Sequence, residues 1–334
     1  MTRTAFAPAM LAAALLAGTA LVPGAVLAAE IKIAMNGVDD PQTNAEAAFA
    51  RGFAQALEGS DFTASIFPSG TLGSEQERFD QVAQGLVEVN LATVSTAFGM
   101  SPLLRGVLLP FMFESNDEFD AIVAQTELLD EMNEPLLPNG VRLAGFNYIG
   151  MPIGIHNTEV PVTTMADLEG IRFRALNAEQ LEYIEALGAN GTIVAWSEVA
   201  NAIQTGIADG YFNPPNSAIR TGHTEFLKHF TQANISPSTR AVLISEDWYA
   251  SLSDEERATI DAAIEAGIEA NRAWIEEWSG IVTERHREAG VTLSELAPGE
   301  RDKMAEATRP TWDEIMTAED LQAYLDALAQ VRAQ

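Results

Sequence analysis

Hydrophobic and polar positions follow two periods along this chain, and the switches between them mark its elements. "EIKIAMNG", from Glu30, alternates every second residue as a half-buried strand does, whereas "TNAEAAFARGFAQALEG" repeats at helical spacing. Thr43 with Glu46 predicts a capping box at the start of that helix, and Gly59 its end. Strand "FTASIFP", a helix "EQERFDQVAQG" capped by Ser74 with Glu77 at its third position, and strand "VEVNLATV" continue the order. Alternation of this kind predicts a mostly parallel sheet covered by helices. The apolar "RGVLLPFMFES", broken by Pro110, leads into further helical sequence.

A second cycle begins near residue 140. Strand "VRLAGFNYIG" runs into an irregular "MPIGIHNTEVPV", followed by strand "GIRFRAL" and a helix from Asn177 to Leu187 closed by Gly188. "GTIVAW" reads as a strand, Ser197 as the cap of "EVANAIQTG", and "IADGYFNPPNSA" as a short strand entering a proline-rich turn. Within "GIRFR", Ile171 and Phe173 share one face of the strand while Arg172 and Arg174 share the other, so that face carries paired positive charge.

The last third differs in kind. After strand "TRAVLIS", Ser253 and Glu256 form a capping box that opens a helical pattern from Asp254 to about Ala289. At ~1.5 Å per residue such a helix is on the order of 50 Å long, enough to lie across two domains. The expected organisation is residues 29–150 with 239–278 as one α/β domain and 151–238 with 279–334 as a second.

The N-terminus changes the picture of where the chain works. Arg3 precedes "FAPAMLAAALLAGTALVPGAVLA", which reads as a signal peptide over residues 1–28 with cleavage after Ala28. No other stretch approaches ~20 uninterrupted apolar residues, so the expectation is a mature protein free in a periplasm. The 334 residues contain no cysteine, which removes disulfides and thiolate metal sites. With 48 acidic against 19 basic side chains the net charge is -29, which disfavours nucleic acid as a partner.

Enzyme motifs are missing: no phosphate loop, no dinucleotide-binding glycine pattern, no nucleophile elbow and no paired zinc histidines. No catalytic residue, metal ligand or cofactor is expected. Binding features are better represented. Arg172 and Arg174 lie near the carboxyl end of a strand, where open α/β sheets place ligands, and a guanidinium there can hold a carboxylate by two parallel hydrogen bonds. Trp196, Tyr211, Phe212 and Asn213, with Phe98 and Asn36 from the first half, also follow strands and could line one pocket.

The blocks "FPSGTLGSEQERFDQVAQG", "LLPFMF", "MADLEGIRFR", "LGANGTIVAWSEVANAIQTGIADGYFNP" and "ISEDWYASLSDEERATI" together resemble the solute-binding proteins of TRAP transporters, the DctP family, over essentially the whole mature chain. The resemblance implies two α/β domains joined by crossing strands and braced by a long hinge-spanning helix. It implies a receptor, expected to be a monomer, that closes around a small organic acid and delivers it to the small and large subunits of a membrane permease. Arg174 matches the family's carboxylate clamp, Asn213 a polar residue after the DG turn and Asn36 a polar position after the first strand. Trp196, Tyr211 and Phe212 would line the cleft, and Glu75, Phe98 and His156 complete the candidate set.

Sialic-acid-binding members carry a second arginine near the position of Gly154 and an acid near Val94. Their absence here favours one anionic group: a monocarboxylate, hydroxy acid or keto acid, with a sulfonate or zwitterion as the alternative. A same-fold receptor feeding a sensor kinase is a second reading, and a periplasmic hydrolase or isomerase a third.

Overall fold

The computed structural model describes residues 1–2 and 29–333; the expected signal peptide lies outside the described residues. Two sheets form the frame. Among the described residues the first has five strands and the second six.

The first lobe opens with β1 (Ala29–Ala34), α1 (Ala45–Ala56), β2 (Phe62–Phe67), α2 (Glu75–Ala83) and β3 (Val89–Ala92). The three strands pair in parallel, as their alternation with helices requires. Ser74 and Glu77 form the expected capping box. At α1 the cap is Asn44 instead of Thr43: Asn44 accepts from the Glu46 backbone N–H, while the Glu46 carboxylate turns inward and accepts from the Gly37 N–H at 2.7 Å. Helices α3 (Asn116–Gln125) and α4 (Leu128–Asn133) follow, and β4 (Val141–Tyr148) then leads out of the lobe.

The second lobe contains β5 (Gly154–Asn157), β6 (Arg172–Ala175), α5 (Ala178–Ala186), β7 (Asn190–Ile193), α6 (Val199–Gln204), β8 (Gly210–Asn213), α7 (Asn216–Arg220) and β9 (His229–Gln232). Strand β5 falls inside the segment read as irregular. Its Gly154 lies so close to β9 that a Cβ would meet the Phe230 ring at 2.5 Å, which explains a small residue where strand propensity is poor. Ser197 does not cap α6; it sits in a short 3-10 turn, Trp196–Glu198, ahead of that helix.

The chain returns through β10 (Thr239–Ser245), which pairs antiparallel with both β3 and β4. Likewise β5 is antiparallel to β8 and β9. The sheets are thus mixed, with antiparallel pairings where the chain crosses between lobes. The two crossings run side by side: Ile149 N–H donates to Ser238 O, and Ile153 N–H to Ser236 O, each at 2.9 Å. They make a paired hinge.

A long helix braces it. After α8 (Glu246–Ser251), α9 spans Asp254–Glu288, opened by the expected Ser253–Glu256 capping box. Its first half packs Ile260, Ala263 and Ile264 into the first lobe, and its last turns bring His286 against Phe230 of the second. Midway, the buried Asn271 side chain accepts from Tyr148 N–H at 2.9 Å and donates to Tyr148 O at 2.8 Å, which pins the helix to the hinge entrance. Strand β11 (Thr292–Glu295), α10 (Glu300–Ile315) and α11 (Ala318–Arg332) end the described chain. Helix α11, expected with the second domain, packs Leu321, Tyr324 and Leu328 into the first-lobe core, and the Tyr324 hydroxyl donates to Leu103 O.

Candidate functional site

The carboxyl ends of β1 and β3 face those of β6 and β8 across the gap between lobes. Helix α2, the turn after β7 and the hinge strands fill in its walls. The result is a cavity of about 160 Å³ lined from both lobes. A larger cavity, about 490 Å³, lies behind the hinge between α9 and the β9–β11 edge. The first lobe's strands contribute nothing to it, so lobe closure could not enclose a solute there. The interlobe cavity is the candidate site.

Arg174 forms part of its wall. The side chain is buried, its Nε–H donates to Val194 O at 2.8 Å, and its guanidinium carbon lies 5.6 Å from the Trp196 ring centre. Its Nη2 is buried without a hydrogen-bond partner. Burial lowers its pKa to about 10, the sign of a cation that lacks a counter-charge. Arg172, two residues earlier, points the same way from the strand but lies outside the cavity. Its guanidinium donates to Asp209, with Nε to Oδ2 at 2.8 Å, at the exposed amino end of β6.

Of the other sequence candidates, Asn36, Glu75, Trp196, Phe212 and Asn213 line the same cavity. Asn213 Nδ2 is buried and unpartnered, like the Arg174 Nη2. Phe212 packs edge-on against Phe173, ring centres 4.8 Å apart. Three candidates lie elsewhere. Tyr211 neighbours Phe212 in β8 and so faces the opposite side of the sheet, where its hydroxyl meets His223 Nδ1 at 3.3 Å. His156, opposite Tyr211 in the sheet, is fully buried with Nε2 3.3 Å from Pro214 O, and burial lowers its pKa to about 3. Phe98 packs in the first-lobe core under the Arg105 guanidinium, 4.8 Å away.

Sequence reading missed the basic residues that enter from the hinge side. Because β10 is antiparallel to β3, its first residues share the cleft edge with the carboxyl ends of the parallel strands, and Arg240 lines the cavity there. It pairs with Glu75 and lies 3.6 Å from Glu46. Burial alone would lower its pKa, but these two carboxylates outweigh that and hold it above the usual arginine range. Arg78, also buried, donates from Nη2 to Asn36 Oδ1 at 2.5 Å and from Nε to Asn90 Oδ1 at 3.1 Å. Gln180 and Arg220 also line the cavity, with the hydroxyl-bearing Thr93, Ser217, Ser238 and Thr239. A strand-end rule that admitted the amino ends of antiparallel strands would have found Arg240; α7, hidden in a proline-rich turn, gave no signal for Arg220.

Two α/β lobes, a paired-strand hinge and a small interlobe cavity with buried cationic groups define a solute receptor. The family model of bacterial extracellular solute-binding protein, family 7 (DctP) matches residues 34–319, and the chain belongs to that family. It is 26% identical over 253 residues to the ectoine/5-hydroxyectoine-binding periplasmic protein UehA of Ruegeria pomeroyi, covering 74% of this chain and 73% of that one. It is 28% identical over 262 residues to the C4-dicarboxylate-binding periplasmic protein DctP of Rhodobacter capsulatus, covering 75% and 73%. A TRAP periplasmic solute-binding protein from Ochrobactrum anthropi, crystallised with its C-terminus bound in the ligand-binding pocket, superposes with a TM-score of 0.82. That match has 25% identity and covers 92% of this chain and 97% of the other. Family members are binding receptors that work with membrane permeases. Among the described residues, no helix is long and apolar enough to cross a membrane.

Proposed function

We propose that this chain is the extracytoplasmic receptor of a TRAP transporter, which takes a small organic acid into the interlobe cavity and presents it to the permease subunits. The observation that carries this reading is the buried Arg174 guanidinium, whose Nη2 has no partner beside a cavity walled by both lobes. A carboxylate there would satisfy the free donors by charge-assisted hydrogen bonds, and Asn213 Nδ2 would donate to the same group. First-lobe groups such as Asn36 and Glu75 reach the same ligand only when the lobes are together, so the ligand shifts an open-closed equilibrium towards the form the permease reads.

The receptor acts as a monomer in the periplasm after loss of residues 1–28, and binding involves no chemical step. Arg174 and Asn213 hold the acid, Trp196 and Phe212 contact its body, and Asn36 and Glu75 set the first-lobe wall. The lobes divide near residues 150 and 239, with α9 and the C-terminal helices shared between them. A thermal-shift screen of small organic acids against their amides tests this: acids should raise the melting temperature and the neutral amides should not. Equal shifts for both would sink the reading.

A further inference from the structure

Among the described residues, three that are not glycine hold a left-handed backbone: Ser69 at φ 54°, Phe111 at 58° and Asn234 at 48°. For a bulky residue such as phenylalanine this region is strained, because Cβ crowds the carbonyl oxygen that follows it. Phe111 and Asn234 also lie together, since the Phe111 N–H donates to Ile235 O at 2.5 Å. One side chain of α10 holds both segments. Arg301 Nη2 donates to Phe113 O at 3.0 Å and to Asn234 O at 3.5 Å, and the guanidinium carbon lies 5.5 Å from the Phe111 ring centre.

Both residues stand where the chain changes lobe. Phe111 is buried in the second-lobe core with Phe173 and Phe212, whereas Met112 and Phe113 are buried in the first-lobe core. This makes a third attachment between the lobes, beside the two hinge strands. Asn234 directly precedes the crossing that starts at Ile235, whose N–H donates to Ile153 O at 2.9 Å. Rotation of one lobe on the other must be absorbed by a few residues at such joints, through changes in φ and ψ. The lobes are together in this structure, with Arg105 of the first paired to Glu179 of the second, so the left-handed values belong to the closed form. We infer that Phe111 and Asn234 are positioning residues for solute capture: they are the joints of lobe closure, and the strain they take on when the lobes meet drives the empty receptor open. This rests on the reading that the lobes open and close around a solute. A bound solute offsets the strain through its contacts to both lobes, and its departure leaves the strain to part them.

The test needs no solute. The chain has no cysteine, so spin labels at Val38→Cys and Ile193→Cys place one in each lobe. Both side chains are exposed, one just past β1 and the other at the end of β7, on the sides where the lobes face each other, so their separation grows as the lobes part. Pulsed dipolar spectroscopy of the ligand-free mature chain gives the ratio of short to long separations. Asn234→Gly removes the Cβ that strains this backbone and should raise that ratio about threefold. Asn234→Ala keeps a Cβ and loses asparagine's tolerance of the left-handed region, so it should lower the ratio by a similar factor. Arg301→Gln loosens the clamp and should lower it too. Circular dichroism checks that each variant folds; if Asn234→Ala or Arg301→Gln does not, Asn234→Gly decides alone. An unchanged ratio in Asn234→Gly, or a shift towards the longer separation, would overturn the joint assignment and leave the reading of the cavity intact. One separation shared by all four chains would overturn lobe movement with it.

Discussion

Arg105, in the 3-10 segment Pro102–Leu108 of the first lobe, forms an ion pair with Glu179 in α5 of the second. The bridge stands at the cavity edge, since Leu108 and Gln180, close by in the two segments, both line it. Arg105 is also held by the Phe98 ring, so part of its ordering is met before the lobes meet. A partly exposed pair of this kind contributes up to about 1 kcal/mol to the closed form. Glu179→Gln should therefore weaken ligand binding roughly fivefold through faster release, with association little changed. Stopped-flow measurement of both rates checks this, and the charge-swapped double variant should recover part of the lost residence time.

The two arginines of β6 should separate cleanly. Arg174→Ala removes the charge-assisted contact to the ligand and should cost at least about a hundredfold in affinity, near 3 kcal/mol. The same change also relieves an unpaired buried cation, so the ligand-free melting temperature should hold or rise. Arg172→Ala touches only the Asp209 bridge at the exposed amino end of β6, and affinity should stay within threefold. Calorimetry and thermal melts of both variants decide; equal affinity losses would mean that Arg172 also reaches the ligand.

How far the site could be read from sequence depends on how local its determinants are. The Ser74–Glu77 and Ser253–Glu256 boxes were legible because each pairs groups three residues apart. Strand alternation put Arg172 and Arg174 on one face, yet only burial separated their roles. Alternation sets Tyr211 and Phe212 on opposite faces but does not say which one lines the cavity: Phe212 and its neighbour Asn213 both do, because the cavity lies beyond the strand ends. At α1 the spacing suited Thr43, but Glu46 is drawn away to Gly37, and Asn44 takes the cap. The Glu75–Arg240 pair joins residues far apart in the chain, and no local pattern could bring them together.

Acid should destabilise the ligand-free fold through its buried histidines. Burial lowers the pKa of His156 to about 3 and of His223 to about 4. The unfolded chain titrates these groups near 6.5, so between pH 6.5 and those values it binds protons that the native state refuses, and stability falls with pH. Above pH 6.5 both states are neutral and the effect vanishes. For His156 the loss at pH 4.5 is on the order of 2–3 kcal/mol. Urea titrations of wild type and His156→Gln at pH 7.5 and 4.5 isolate it: the variant should lose less on acidification, by about that amount. Carboxylates stabilised by pairing, such as Asp209 beside Arg172, contribute an acid loss to both proteins and cancel in the difference.

Two glycines in helices should respond to alanine with opposite signs, although helix propensity alone favours alanine by about 1 kcal/mol at either. Gly52 lies where α1 crosses α9, and a Cβ there would come 2.6 Å from Ala270 Cβ and 2.8 Å from the Ala266 carbonyl oxygen. A backbone oxygen inside a braced helix cannot swing aside like a side-chain tip, so the helices must part. Overpacking of this kind costs about 1–3 kcal/mol, which outweighs the propensity gain. Gly280 lies in the same α9 with nothing within 4 Å of its added Cβ. There propensity acts unopposed, and Gly280→Ala should stabilise by about 0.5–1 kcal/mol. Denaturant unfolding of the two variants would show whether close α1–α9 contact fixes the hinge helix; a stabilised Gly52→Ala would mean that the helices can separate without penalty.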